Sequence, residues 1–136
     1  MEERVLKSTI KVCQTNELSE SEQHLVSLAI KATENAYSPY SHFSVGSAVL
    51  LENGKEITGC NQENAAFPVT ICAERSALFA AGAQYPSTPV VAIAIAARNA
   101  DGLLAEPVTP CGSCRQALVE ISAKYAYCSM APATCM

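Results

Sequence analysis

Residues 90–97 read VVAIAIAA, a continuous apolar run that follows Pro86 and Pro89 and precedes a turn at residues 99–102. A short apolar run between turn signals is typical of a strand buried on both faces, as in a parallel sheet. The elements predicted on either side of it alternate between helix and strand. The sequence therefore predicts an α/β sandwich with a mixed sheet, organised around this strand.

Two elements are predicted on the N-terminal side of this strand. Apolar residues recur at helical spacing over residues 21–37, which predicts an amphipathic helix capped by Ser19 or Ser21. Asn53-Gly54 lies between two apolar runs and is the strongest short hairpin signal. Residues 43–60 are therefore predicted to form an antiparallel pair of strands.

The remaining elements are predicted from weaker patterns. Residues 71–83 favour a helix that ends at Gly82, and residues 112–124 favour a helix that follows a proline. Residues 125–130 are interpreted as one more strand. At the other end, residues 4–15 are rich in β-branched types, which favours an N-terminal strand or an extended arm.

Composition narrows the class of protein. A chain of 136 residues that is 49% hydrophobic is long enough for one domain with its own core. The formal net charge of −4 disfavours a polymeric nucleic acid as the main partner. No apolar run approaches the ~20 residues of a membrane span, and the N-terminus has no apolar signal core. A cytoplasmic protein is expected.

The chain has seven cysteines, which are more consistent with metal or redox chemistry than with a disulfide framework. Cys111 and Cys114 are separated by two residues at a predicted helix start, a spacing that is a common half-site for zinc. The same spacing also occurs in redox dithiols. Four other cysteines are interpreted as small buried apolar residues: Cys13, Cys60, Cys128 and Cys135.

Cys72 is the candidate that can join Cys111 and Cys114 as a third ligand. No histidine or further thiol lies at metal-ligand spacing from Cys72, and His24 and His42 are remote in sequence. Three protein ligands leave zinc an open position, as catalysis requires. Zinc lowers the pKa of a bound water from ~16 toward ~7. Glu74 lies two residues after Cys72 and can move the protons of such a reaction.

The charge of this cluster needs an explanation. Helix N-termini favour thiolate over thiol, and both predicted helices begin at the cysteines. Three thiolates on a divalent ion leave a net charge of about −1. Arg75 and Arg115 are placed to offset that charge, although both also fit ordinary helix-surface arginines.

Several separate segments resemble one family, the small homotetrameric zinc-dependent cytidine deaminases of the cytidine/deoxycytidylate deaminase superfamily. Cys72-Ala73-Glu74 followed by Pro110-Cys111-Gly112-Ser113-Cys114 is similar to the family's all-cysteine zinc signature. Residues 37–46 and 59–65 are similar as well, and the resemblance spans about residues 22 to 125. It implies one domain over residues 1–136, a three-layer α/β/α sandwich with a mixed five-stranded sheet.

The resemblance also implies an activity, the hydrolytic deamination of free cytidine and deoxycytidine to uridine and deoxyuridine in pyrimidine salvage. Cys72, Cys111 and Cys114 would hold one Zn²⁺ per subunit. Glu74 would carry a proton from the attacking water to the ring and to the leaving ammonia. Arg75 would temper the thiolate charge.

Roles in substrate binding follow from the same resemblance. Asn61 and Glu63 would hold the ribose hydroxyl, Phe43 would pack against the pyrimidine, and the backbone at Ala73 would help to read the base. Ala65 would contact the site of a neighbouring subunit. The expected assembly is a homotetramer, or a dimer, and the expected partner is a small nucleoside.

The sequence departs from the family pattern in three places. Phe67 stands where a tyrosine is common, and residues 126–136 do not resemble the family's C-terminal tail. We therefore expect the last strand to be missing or altered. Residues 1–18 form a longer arm than in the shortest members and are expected to cover an exposed sheet edge.

Three alternatives remain open from the sequence. A relative could deaminate a modified cytosine nucleoside, such as a nucleoside antibiotic. The unusual C-terminus also suits a catalytically silent zinc protein used for structure or binding. A redox dithiol built from Cys111 and Cys114 is the weakest alternative, because it leaves Cys72-Ala73-Glu74 unexplained.

Overall fold

The computed structural model describes residues 1–7, 9–124 and 129–132. Three helices and five strands follow one another in the order α1 (Glu20–Ala32), β1 (Ser44–Leu51), β2 (Glu56–Cys60), α2 (Ala73–Gln84), β3 (Val90–Asn99), β4 (Gly102–Leu103), α3 (Gly112–Lys124) and β5 (Ser129–Pro132). Short 3₁₀ turns occupy Thr15–Glu17, Thr33–Asn35 and Phe67–Val69. None of the helices in the described ranges has the length and hydropathy that a membrane crossing requires.

The sheet is mixed and five-stranded. Four strands follow the order β2-β1-β3-β4 with antiparallel neighbours, and β5 pairs in parallel with β3 off this path. The predicted mixed sheet is confirmed, and its last strand is only four residues long. The predicted strand at residues 125–130 begins later, at Ser129, and residues 125–128 lie outside the described ranges.

Strand β3 is the apolar run predicted from the sequence, and its residues 92–97 are all buried. The inference that such a run indicates a parallel sheet holds only in part. Its long neighbour β1 is antiparallel to it, and only the short β5 runs parallel. The run is apolar because helices cover both faces of the strand, whatever the direction of its neighbours.

Each face of the sheet has its own core, which confirms the three layers. On one face, Leu78 of α2 and Leu118 of α3 pack against large side chains of the sheet: Val49, Leu51, Ile93 and Ile95. On the other face, Leu25, Val26 and Ala29 of α1 pack against alanines of the sheet: Ala48, Ala92, Ala94 and Ala96. The alternation along β1 and β3 therefore separates large residues from small ones.

Two glycines allow the helices to lie directly on the sheet. A Cβ on Gly46 would be 2.1 Å from the carbonyl oxygen of Ala29 in α1. A Cβ on Gly59 would be 2.4 Å from the backbone nitrogen of Ala77 in α2. Both distances are far below a van der Waals contact, so these positions require the absence of a side chain.

Of the two alternatives predicted for the N-terminal residues, a strand and an extended arm, the described residues there form no strand. The described part of residues 1–14 carries no strand and is exposed, with Leu6 and Val12 more than 90% accessible. The pattern at residues 4–15 has strand propensity, but a strand needs a hydrogen-bonded neighbour to form. Cys13 is also exposed rather than buried, so its interpretation as a small core residue is wrong.

The ends of the helices differ slightly from the predictions. Ser19 caps α1 and forms a capping box with Glu22, as one of the two candidates. Helix α1 ends at Ala32 and continues only as a 3₁₀ turn, five residues short of the predicted Tyr37. Helix α2 runs through Gly82, because one exposed glycine inside a packed helix does not end it.

Candidate metal centre and adjoining pocket

The N-termini of α2 and α3 meet beside the sheet and bring three thiols together. Cys72 is the N-cap residue of α2, Cys111 directly precedes α3, and Cys114 lies in the first turn of α3. The Sγ atoms of Cys72 and Cys111 are 3.8 Å apart, and those of Cys111 and Cys114 are 3.5 Å apart. All three sulfurs lie within 4.8 Å of one another.

This geometry fits zinc. Sulfur atoms at about 2.3 Å from a tetrahedral zinc ion are separated by about 3.8 Å, close to the separations found here. The ligand set also has the chemistry that zinc prefers. The two histidines have other surroundings, since His24 pairs with Glu56 at 3.2 Å and His42 lies in the loop before β1.

The pKa values of the Cys111 and Cys114 thiols are shifted in opposite directions, because the surroundings of the two sulfurs differ. A hydrogen bond from the backbone N–H of Cys114 lowers the pKa of the Cys111 thiol, as expected at a helix start. Burial, and then the charge of Glu74, raises the pKa of Cys114. For a fully buried sulfur, loss of hydration outweighs the helix terminus, and a divalent cation favours the thiolate again.

The two arginines beside the cluster have different partners. The Nη2 atom of Arg75 donates to Cys72 Sγ at 3.5 Å, and this hydrogen bond is the main reason that the pKa of Arg75 is raised. The Nε atom of Arg115 instead donates to the carbonyl oxygen of Pro110 at 2.9 Å. Arg75 therefore contacts a thiol, whereas Arg115 holds the loop that leads into α3.

A cavity of about 300 Å³ opens beside the thiols. It is lined by most of the residues singled out from the sequence: Phe43, Asn61, Glu63, Cys72, Ala73, Glu74 and Cys111. Glu74 is 5% exposed and lies in the first turn of α2, so one helix start supplies both a sulfur and a carboxylate. Cys114 is fully buried behind this wall, and Ala65 is exposed and does not line the cavity.

About half of the lining was not predicted from the sequence. The additional residues come from β1, β3 and the loops before β1, α2 and α3: Ser41, Val45, Thr70, Ile71, Ile95, Val108 and Thr109. All are apolar or hydroxyl residues with no spacing signal of their own. Ser41 and Val45 are the two that the sequence could have indicated, since they lie in the segment 37–46 that carries the resemblance.

Asn61 joins the end of β2 to the start of β1. Its Oδ1 accepts from the backbone N–H of Val45 at 2.7 Å, and its Nδ2 donates to the carbonyl oxygen of Phe43 at 2.9 Å. The amide is almost fully buried and holds the backbone of the aromatic residue at the cavity. Asn61 and Glu63 both line the cavity.

Glu63 is held by the loop that precedes β1. Its Oε2 accepts from the backbone N–H groups of Tyr40 at 2.9 Å and Ser41 at 3.2 Å, and its Oε1 accepts from the Ser41 hydroxyl. The hydrogen bond from the Ser41 hydroxyl is the main reason that the pKa of Glu63 is lowered. The carboxylate therefore stays ionised at neutral pH.

Three cysteine thiols at the N-termini of α2 and α3, within an α/β/α sandwich, define a small class of zinc proteins. Residues 19–130 match the family described as the cytidine and deoxycytidylate deaminase zinc-binding region. The chain belongs to this family.

Individual relatives agree with this assignment. A cytidine deaminase of Halalkalibacterium halodurans is 48% identical over 99 residues, which cover 73% of this chain and 70% of the relative. A cytidine deaminase of Mycobacterium tuberculosis is 38% identical over 92 residues, covering 68% of this chain and 65% of the relative.

Solved structures show the same fold. The crystal structure of cytidine deaminase from Mycobacterium tuberculosis matches with a TM-score of 0.68 at 32% identity, covering 83% of this chain and 89% of that one. Cytidine deaminase from Burkholderia pseudomallei matches with a TM-score of 0.64 at 39% identity, covering 75% and 76% of the two chains.

Proposed function

We propose that this protein is a zinc-dependent hydrolase that deaminates free cytidine and deoxycytidine to the corresponding uridines. The observation that carries the proposal is the placement of Cys72, Cys111 and Glu74 on one wall of a cavity that Glu63 also lines. A zinc ion held by the three thiolates would supply a bound water whose pKa is lowered toward about 7. The similarity to proteins named cytidine deaminase supports the choice of substrate.

Glu74 is proposed as the proton carrier. Attack of water at C4 of the pyrimidine requires a base, and the departing amine must leave as ammonia, which requires an acid. One carboxylate that alternates between the two states serves both steps. Its nearly complete burial beside Cys114 keeps bulk water away from these transfers.

The substrate would be held by groups on several elements. Asn61 and Glu63 are proposed to bind the ribose hydroxyls, Phe43 to pack against the base, and the backbone at Ala73 to read its polar edge. A carboxylate and an amide suit a sugar hydroxyl, and the charge of the carboxylate repels a phosphate, which favours nucleosides over nucleotides. The contact from Arg75 to Cys72 Sγ suits a role in tempering thiolate charge.

The setting of the reaction is also proposed from the family resemblance. One domain over residues 1–136 would bind one zinc ion and act in pyrimidine salvage in the cytoplasm. It would assemble as a homotetramer, or a dimer, with Ala65 at a neighbouring site. The exposed position of Ala65 and the 84% exposure of nearby Phe67 suit such a contact. Neither a modified nucleoside nor a silent zinc protein has an observation in its favour here.

The test is a cytidine deamination assay beside metal analysis. The wild-type protein should bind zinc and remove the absorbance of cytidine. Glu74→Gln should keep the zinc and lose at least about 100-fold in kcat, because the amide cannot accept or donate the transferred proton. Substantial turnover in this variant would overturn the mechanism, and zinc binding without turnover in the wild type would overturn the function.

A further inference from the structure

The loop before β1 holds one carboxylate with an unusual number of donors. Glu63 is partly exposed, yet Tyr40 N, Ser41 N and Ser41 Oγ all donate to it from two consecutive residues. Exposed glutamates ordinarily sample several rotamers. Three donors in one turn select a single orientation of this carboxylate before any ligand arrives.

The Ser41 hydroxyl has its own direction set. Its oxygen accepts a hydrogen bond from the backbone N–H of Phe43 at 3.1 Å. His42, between the two, has φ of 54°, a left-handed conformation that reverses the chain and allows this contact. With that N–H donated to its oxygen, the hydroxyl directs its one hydrogen to Glu63 Oε1.

The two carboxylate oxygens are left in different states. Among the described residues, Oε2 takes two backbone donors, whereas Oε1 takes only the Ser41 hydroxyl. Each carboxylate oxygen offers about two lone-pair sites. Oε1 therefore keeps one acceptor site free, and Glu63 lines the cavity.

We propose that Ser41 is a positioning residue that orients Glu63 so that Oε1 accepts one hydroxyl of the nucleoside sugar. This inference rests on the proposed function. The same serine also binds the backbone of Phe43, so the group that reads the sugar and the ring that packs on the base share one support. The serine acts through Glu63 and does not touch the reacting atoms.

The first experiment compares cytidine with 2′,3′-dideoxycytidine, which lacks both sugar hydroxyls. In the wild type, we expect the loss of the hydroxyls to reduce kcat/KM at least about tenfold. In Ser41→Ala, kcat/KM for cytidine should fall about tenfold, mainly through KM, whereas the value for dideoxycytidine should change little. The preference for cytidine would then nearly disappear.

Two variants control for a general loosening of the loop. Ser38→Ala removes the 2.9 Å hydrogen bond between the hydroxyls of Ser38 and Ser44 but leaves Glu63 untouched, so it should keep the preference. Ser41→Thr keeps a hydroxyl at this position and should therefore also keep the preference for cytidine. If Ser41→Ala keeps the preference, or if Ser38→Ala loses it equally, the proposal is overturned.

A second measurement is independent of turnover. The pKa of the Glu63 carboxyl can be followed by ¹³C NMR, with Glu63→Gln to assign the signal. Removing the Ser41 hydroxyl should raise this pKa toward its ordinary value, although the backbone N–H groups of Tyr40 and Ser41, and then the charge of His42, still lower it. An unchanged pKa overturns the positioning role. If the wild type does not deaminate cytidine, the proposed function fails, while a raised pKa in Ser41→Ala still supports the positioning.

Discussion

Individual side chains in this fold are well satisfied, and the exceptions are informative. The Oγ of Ser47, in the middle of β1, is fully buried and has no hydrogen-bond partner in the described part of the chain. Its neighbours Val45 and Val49 on the same face contribute to the core under α2. A buried hydroxyl without a partner costs about 1–3 kcal/mol.

Replacing Ser47 by alanine is therefore expected to stabilise the protein by about 1 kcal/mol. The change should appear in urea as a higher unfolding midpoint with an unchanged m-value, at a fixed zinc concentration. Ser44→Ala is the matched control. The hydroxyl of Ser44 is hydrogen-bonded to that of Ser38, so its removal should lower the midpoint. A lower midpoint for Ser47→Ala would mean that its hydroxyl is satisfied.

The positions of whole helices depend on backbone contacts that only glycine permits. Gly46 supports α1, and Gly59 supports α2, whose first turn carries Cys72 at its N-cap and Glu74. A displacement of α2 by even a fraction of an ångström moves a proposed metal ligand and the proposed proton carrier together. Displacement of α1 affects stability without moving the site directly.

We expect Gly59→Ala and Gly46→Ala each to destabilise the protein by about 3 kcal/mol or more, because the added carbon meets backbone atoms that cannot yield. Gly59→Ala should in addition weaken zinc retention. These effects are measured by urea unfolding and by metal content after dialysis.

Gly82→Ala is the control for both. It lies exposed within α2 with no atom within 4 Å of the added carbon, and it should stabilise the helix by about 1 kcal/mol. Equal stability of Gly59→Ala and the wild type would show that α2 does not rest on this strand.

At the scale of the whole molecule, two cores of different depth hold the sheet between the helices. Large side chains fill the face toward α2 and α3, and alanines fill the face toward α1. The N-terminal arm belongs to neither core, since its described residues are exposed and carry no strand. Its apolar residues Val5, Leu6 and Ile10 are each more than 70% exposed.

Deletion of residues 1–13 is expected to leave the free energy of unfolding in urea unchanged within about 0.5 kcal/mol, because exposed residues away from a core contribute little. The deletion retains Gln14, which begins the first 3₁₀ turn. Native mass spectrometry of the same variant checks the assembly. A lower midpoint or a smaller assembly would show that the arm covers a sheet edge between subunits.

The sequence by itself indicated the central strand, the hairpin at Asn53-Gly54 and the grouping of Cys72, Cys111 and Cys114 with Glu74, because local spacing and short motifs encode these features. It overextended α1 to Tyr37 and left a strand or an extended arm open for residues 4–15, since both outcomes depend on which neighbour is available to pack or pair. It also missed the β3–β4 hairpin.

Only the tertiary structure decided how the site is supported. Ser41 carries no signal in the sequence that links it to Glu63, 22 residues away. A left-handed His42 in turn allows the backbone N–H of Phe43 to reach the Ser41 hydroxyl. The contrast between Cys111 and Cys114 likewise depends on burial, which spacing does not encode. Short local motifs indicate which residues of this chain carry the chemistry. The orientation and protonation of these side chains follow from long-range packing, because both depend on what surrounds each group in space.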